Sequence, residues 1–479
     1  MSLATERPTS PTSAPAVAVS DDGPLLAVVG RETPVPLLDG RTVPYANLDY
    51  AASAPALEAV AARVSEVLPL YASVHRGAGY LSQLSTALYE SSRRAIAAFV
   101  GARDDDVAIV TRNTTDALAV LAGCLPTAAD GARGGVVVLD LEHHANLLPW
   151  GRARAGEALP VEVVPVEVVP AAATVTASLA ALAAAIDRVR PVLVAVSGAS
   201  NVTGEALPLE EVIALAHGAG ARVVVDGAQL VPHRGFSLTD TGADWVAFSG
   251  HKTYAPFGAG ALVGRRDWLD AGTPYLAGGG AVRDVDAERT VWQPAPARHE
   301  GGSPNVLGAV ALAEACERLT ALPAGALAAH EGALRSRLVA GLDALDGVRV
   351  LRLWPDSGEP VGVVAFDVTG HDPGLVAAYL AAEHGIGVRD GRFCAHPLAA
   401  RLGVAHGAVR ASVGVGSTAD DVDRLVTGIT QFLAGGIRGR YVVVDGCWVV
   451  DDDPRAIPDV HGLDGLAATA ACAPLDPFA

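Results

Sequence analysis

The chain has 479 residues, half of them apolar, and 53 acidic side chains against 35 basic ones, for a formal charge of −18. That length suggests more than one domain and a large core of small aliphatic residues. The negative charge argues against broad binding to nucleic acid or an anionic membrane, and no apolar run is long and clean enough to span a bilayer.

Residues 1–22 are rich in Pro, Ser, Thr and Ala, a composition expected to stay disordered. Helices are expected over 57–68 and 84–100, the second with apolar spacing near 3.6. Strand and helix signals then alternate. Strands are expected at 107–110, 135–140, 192–197, 222–226 and 244–248, with a return strand at 261–264. A helix is expected from Arg112-Asn-Thr-Thr-Asp116 to about Cys124, and another over 209–217. Strands without polar alternation, separated by helices, imply a mostly parallel sheet covered on both faces. From about residue 325 the rhythm changes. A helix over 334–345, strands at 348–351 and 361–368, a helix over 373–384, a strand at 408–413 and a helix over 419–433 predict a smaller α/β domain. The expected division is a tail to 22, a large domain over 23–324, a small one over 325–434 and an appendage over 435–479. In the appendage, Asp445-Gly446 suits a two-residue hairpin turn. The N-terminal segment of the large domain has the option of packing with the small one.

Cys124, Cys316, Cys394, Cys447 and Cys472 are widely spaced. They form no CxxC pair, zinc spacing or disulfide framework, so a reducing, cytoplasmic setting without a bound metal is expected. The N-terminus lacks the charged and apolar regions of a secretory signal.

One of the 35 basic residues is a lysine, Lys252; all others are arginines. Arginine serves for most surface charges but stays protonated. A desolvated lysine can lose its proton and act as a nucleophilic amine, which a Schiff base requires. Lys252 follows a buried-strand signal in Ser249-Gly-His-Lys252, and sites in α/β sheets gather at strand ends. Other strand ends carry residues that a lysine-bound aldehyde cofactor would use. Asp226 can pair with a pyridinium nitrogen, although a turn or capping aspartate is its ordinary role. His143 can lie flat on a ring. Thr114 and Thr115 open a helix, where free N–H groups and hydroxyls bind phosphate, and Ser249 and His251 can complete the cup. Each has a plain capping or surface alternative; together and in order they form a constellation.

These motifs resemble the class V aminotransferase type of enzyme dependent on pyridoxal 5′-phosphate (PLP), in the cysteine desulfurase and selenocysteine lyase branch. The resemblance runs from Leu48-Asp-Tyr-Ala-Ala-Ser-Ala to Val409-Arg-Ala-Ser-Val. Between them lie Val74-His-Arg-Gly, Glu142-His-His-Ala-Asn, Ser200-Asn-Val-Thr-Gly, Asp226-Gly-Ala-Gln, Glu300-Gly-Gly-Ser-Pro-Asn and Val388-Arg-Asp-Gly-Arg-Phe-Cys. It implies a fold-type-I homodimer with its site between subunits. By the same resemblance, Lys252 would carry PLP, His143 would stack on its ring, Asp226 would bind the ring nitrogen, and Asn201 and Gln229 the ring hydroxyl. Thr115, Ser249 and His251 would hold the phosphate, joined by Ser303 from the partner subunit. Arg410 would grip the substrate carboxylate, assisted by Arg389. Cys394 would take sulfur from cysteine as a persulfide, releasing alanine, and pass it to a sulfur-acceptor protein. One departure stands out: many relatives carry two histidines before this cysteine, where this chain has Arg392-Phe393. PLP-dependent C–S β-lyases, epimerases and decarboxylating enzymes share most of these residues, and Cys394 with its loop is what discriminates. A non-catalytic PLP-fold regulator is the alternative of another class; the short N-terminal tail lacks the DNA-binding module such a protein carries.

Overall fold

Valine-rich runs make the framework. The structure, a computed structural model, describes residues 23–126, 135–151, 166–171 and 174–455. Seven strands form the large sheet: β1 (Asp106–Thr111), β2 (Val136–Leu139), β3 (Val166–Val169), β4 (Leu193–Ser197), β5 (Arg222–Asp226), β6 (Trp245–Ser249) and β7 (Gly260–Arg265). Their order is β1-β7-β6-β5-β4-β2-β3, with β7 antiparallel to both neighbours and the other pairs parallel. Every residue of β2, β4 and β6 is buried. Both sheet faces are covered, which is why these strands show no polar alternation.

The parallel strands end at one edge, and the polar residues sit at those ends. Ser197 lies in register with Asp226, and Asp226 with Ala247 two residues before Ser249. Gly260 joins Ser249 on one side to Thr111 on the other. A Cβ at Gly260 would stand 2.7 Å from the Cα of Asn113. Glycine there lets the chain entering helix α3 press against the sheet beside Ser249. The large-sheet region carries α1 (Glu58–Val67), α2 (Tyr80–Phe99), α3 (Thr114–Ala122), α4 (Val175–Val189), α5 (Leu209–Gly218) and α6 (Val306–Thr320). Strand β3 and helices α4 and α6 go beyond the expected elements. Ten of the fifteen residues of α6 are buried, so its sequence lacks the one-sided contrast that marks a surface helix.

A second sheet has the order β8-β9-β11-β10, all antiparallel. It contains β8 (Val348–Val350), β9 (Val363–Val368), β10 (Arg389–Gly391) and β11 (Ala408–Ser412). Helices α7 (Ala326–Asp343), α8 (Pro373–His384) and α9 (Ala419–Leu433) pack on it around Leu338, Phe366, Leu380 and Phe432. Helix α7 starts a full two turns before the expected 334. Ala46 and Leu48, from the N-terminal part of the chain, belong to this second core, and Ala46 pairs with Ile386. The same segment bridges Asp49 to Ser412.

After α9 the chain forms the hairpin β12 (Tyr441–Val444) and β13 (Cys447–Val450), turned through Asp445 and Gly446, both at positive φ. Buried Glu383 of α8 anchors it, accepting from Arg438 N, Gly439 N and Tyr441 Oη. Cys124, Cys316 and Cys394 are free thiols. Cys447 is disulfide-bonded, unlike the expectation of no disulfides drawn from cysteine spacing. The expected disordered tail to 22 and the end of the appendage from 456 lie outside the described residues. No helix among the described residues is long and apolar enough to cross a membrane, and no cluster of three or more ligating side chains there could hold a metal ion.

Candidate active site

The strand ends enclose a cavity of about 200 Å³, bordered by Thr115, His143, Asp226, Gln229, Lys252 and Arg410 among others. Helix α3 begins at its wall. Asn113 caps the helix by accepting from Asp116 N at 3.0 Å. Thr114 donates through its N–H to Ser249 Oγ at 2.8 Å, and the two hydroxyls meet at 2.7 Å. A helix N-terminus flanked by hydroxyls attracts a phosphate.

Lys252 lies among the cavity walls, and its amine makes no hydrogen bond among the described residues. Burial pushes its pKa down to about 8, against the pull of Asp226, with Arg410 and Arg389 adding to the depression. About a tenth of the amine is therefore uncharged at pH 7, far more than for an ordinary lysine. Asp226 is 4% exposed; it accepts from Ala228 N at 3.0 Å, and burial raises its pKa. A buried carboxylate that makes no salt bridge among the described residues calls for a further donor. Gln229 donates to Ala51 O at 2.8 Å, leaving its buried Oε1 without a partner.

His143 Nδ1 accepts from Ala145 N at 3.0 Å, so the ring proton resides on Nε2. Burial, then the charge of Lys252, lowers its pKa to about 3, and the same causes lower His251 to about 4. Both rings are neutral at pH 7. Behind His143 lies Glu142, fully buried, accepting from Ser197 N, Ser197 Oγ and Asn146 Nδ2 at 3.1, 2.5 and 2.7 Å. Burial pushes its pKa up to about 8.

The second sheet supplies positive charge. Register sets Arg389 directly across from Arg410, an arrangement in which like charges repel. Arg410, 1% exposed, donates to Asp49 at 2.8 Å and to Asn201 O at 3.0 Å, and its Nε has no partner. Arg389 pairs with no carboxylate among the described residues. Two arginines balanced by one aspartate make a receptor for an anionic group. Cys394 stands beside them, partly exposed, its Sγ 4.0 Å from Arg389 Nη2.

The fold therefore brings together Thr114, Thr115, His143, Asn201, Asp226, Gln229, Ser249, His251, Lys252, Arg389 and Arg410 around the cavity, while Cys394 lies outside its lining and meets it through Arg389. Ser303 is exposed and does not line this cavity. The local sequence announces no role for Asp49, Glu142 or Phe393, although Glu142 and Phe393 each stand directly before a candidate site residue. Their signal is tertiary: Asp49 meets Arg410 across 361 positions.

A buried lysine, a buried carboxylate, a helix start flanked by hydroxyls and an arginine pair gathered at the strand ends of an α/β sheet mark an enzyme of fold type I. The chain belongs to the class V aminotransferase family, whose family model, "Aminotransferase class-V", matches residues 46–425. It is 37% identical to a cysteine desulfurase of Dickeya dadantii over 388 residues, 81% of this chain and 91% of that protein. It is 38% identical to probable cysteine desulfurase 2 of Mycobacterium leprae over 372 residues, 75% and 85% of the two chains. Among solved structures, the cysteine desulfurase CsdA of Escherichia coli superposes with a TM-score of 0.71 at 34% identity, over 81% of this chain and 95% of that one.

Proposed function

We propose that this protein is a PLP-dependent cysteine desulfurase acting on L-cysteine, with L-selenocysteine as a candidate second substrate. The observation that carries this reading is Cys394, a partly exposed thiol 4.0 Å from Arg389, which borders a cavity built around the lone lysine. The names of the relatives support it.

The residues fit PLP. The buried Asp226 carboxylate makes no salt bridge among the described residues and suits a ring N–H, and the spare Gln229 Oε1 suits the ring hydroxyl. Asn201 has its amide N–H committed to Phe393 O at 2.7 Å, leaving its Oδ1 for that hydroxyl. Thr114, Thr115, Ser249 and His251 suit the phosphate, and the neutral His143 ring suits stacking. When bound, PLP withdraws electrons from the substrate's α carbon.

Lys252, with its depressed pKa, holds the cofactor and then moves protons at the substrate's α carbon. Arg410, with Arg389, orients the substrate carboxylate. The Cys394 thiolate attacks the substrate sulfur. An S–S bond forms, the C–S bond breaks, and its electron pair remains at the β carbon, which takes up a proton. Cysteine and the Cys394 thiol become alanine and a Cys394 persulfide. A sulfur-acceptor protein then discharges the persulfide. The exposed Ser303 serves the phosphate of a second subunit, so the working form is a homodimer.

The test is product analysis with cysteine and with selenocysteine for wild type and Cys394→Ser. The wild type is expected to make alanine and a protein persulfide from cysteine. The variant is expected to bind PLP and cysteine yet make almost no alanine. Pyruvate and ammonia from the wild type, or alanine formation surviving in the variant, would replace this reading with a C–S lyase.

A further inference from the structure

The loop that carries Cys394 is held in a strained conformation. Phe393 and Cys394 both take left-handed backbone, each at φ +55°, in succession and without glycine. Such strain persists where the surroundings over-determine it, and three backbone contacts do so here. The Phe393 carbonyl accepts from Asn201 Nδ2 at 2.7 Å, the Cys394 carbonyl from His144 N at 2.9 Å, and the Arg392 carbonyl from Ala395 N at 3.0 Å. The Phe393 side chain is 3% exposed, borders the cavity and packs into the core of the large-sheet region. The Arg410 guanidinium lies over its ring, 5.2 Å from the centroid, within cation–π range. Arg410 also donates to Asn201 O, so Phe393, Asn201 and Arg410 close a ring of contacts behind the thiol.

We propose that Phe393 is the positioning residue for Cys394: its buried ring, clasped by Arg410 and Asn201, fixes the thiol next to the cavity and ties it to the arginine that receives the substrate carboxylate. This rests on the desulfurase reading above. A shorter side chain releases the backbone from its left-handed turn, and the thiol then samples orientations that miss the substrate sulfur. Substrate binding at Arg410 is left intact, because Asp49 and the Asn201 carbonyl still hold that guanidinium.

The test uses the full-length protein loaded with PLP, as Phe393→Leu and Phe393→Ala. Two readouts are taken: steady-state alanine formation, and the rate of Cys394 alkylation by iodoacetamide, followed by peptide mass mapping without substrate. Misplacing a reacting group by about 1 Å can cost about a hundredfold. The alanine variant is expected to lose kcat on that scale, with KM and cofactor absorbance essentially unchanged, and to alkylate faster than the wild type. The leucine variant, which keeps bulk but not the ring face, is expected to fall between on both scales. If the alanine variant does not fold, the leucine variant decides alone: wild-type alkylation and kcat in it overturn the proposal. So does a parallel loss of cofactor and rise in KM, which marks general damage. Pyruvate from the wild type refutes the desulfurase reading, and the alkylation arm still decides the clasp.

Discussion

Replacing Glu142 by glutamine removes an ionisable group that the fold keeps away from both water and cations. In the folded protein its proton comes off near pH 8, against 4.5 for an ordinary glutamate. Burial is the main cause, and the neighbouring Asp226 charge adds to it. The folded state therefore binds this proton more tightly than the unfolded chain. Its contribution to stability is full below about pH 4.5, declines as pH rises and levels off above about pH 8. One pH unit inside that window corresponds to about 1.4 kcal/mol, so the decline between pH 5.5 and 7.5 is about 3 kcal/mol. Glutamine does not titrate. At pH 5.5 it should destabilise by about 1 kcal/mol, because its amide faces Asn146 Nδ2 as a second donor. Rotation of Asn146, whose buried Oδ1 lacks a partner, limits that loss. By pH 7.5 the sign should reverse, Glu142→Gln becoming the more stable form by about 2 kcal/mol. Thermal melting of both proteins at matched cofactor saturation, at pH 5.5, 6.5 and 7.5, measures the gap. A gap that stays constant across this range would show that Glu142 is not held protonated by the fold, and the burial argument would fail.

Borohydride reduction of the yellow protein should leave a pyridoxyl group on Lys252, and Lys252→Ala should lose it; a label on no lysine peptide contradicts the assignment. Because the free amine is the reactive form, reloading of cofactor-stripped protein should speed up as pH rises through about 8, and a flat profile would count against the depressed pKa. Arg410→Lys cannot contact Asp49, Asn201 O and a carboxylate together, so KM for cysteine should rise about 10–100-fold with the cofactor spectrum unchanged; steady-state kinetics decide, and an unchanged KM removes Arg410 from substrate binding. Ser303→Ala should weaken PLP retention while light scattering still reports a dimer, whereas a monomer with full cofactor content would contradict both parts.

Much of this site is written in local sequence, because strand ends and helix starts are local events. A valine run closed by Asp226 states both the strand and the residue at its end. Asn113-Thr-Thr supplies its own cap, and Asp445-Gly446 its own turn. Lys252 stands out because arginine cannot lose a proton, so the one side chain able to offer a free amine is legible before any fold is known. Other features depend on distant segments meeting. Helix α6 is buried on most sides, which erases the periodicity that would announce it. Asp49 counts as a site residue only because a bridge to Ser412 sets it against Arg410. The opposition of Arg389 and Arg410 is a matter of strand register, which no single strand contains. Glu142 reads as an ordinary acidic residue, and its raised pKa arises from complete burial. The sequence by itself determined which chemical groups are available and near which strand end each is carried, since propensity and capping act over a few residues. Tertiary structure alone decided which groups face one another, how far each is desolvated and which thiol meets the arginines, because charge interactions and burial depend on distance through space rather than along the chain.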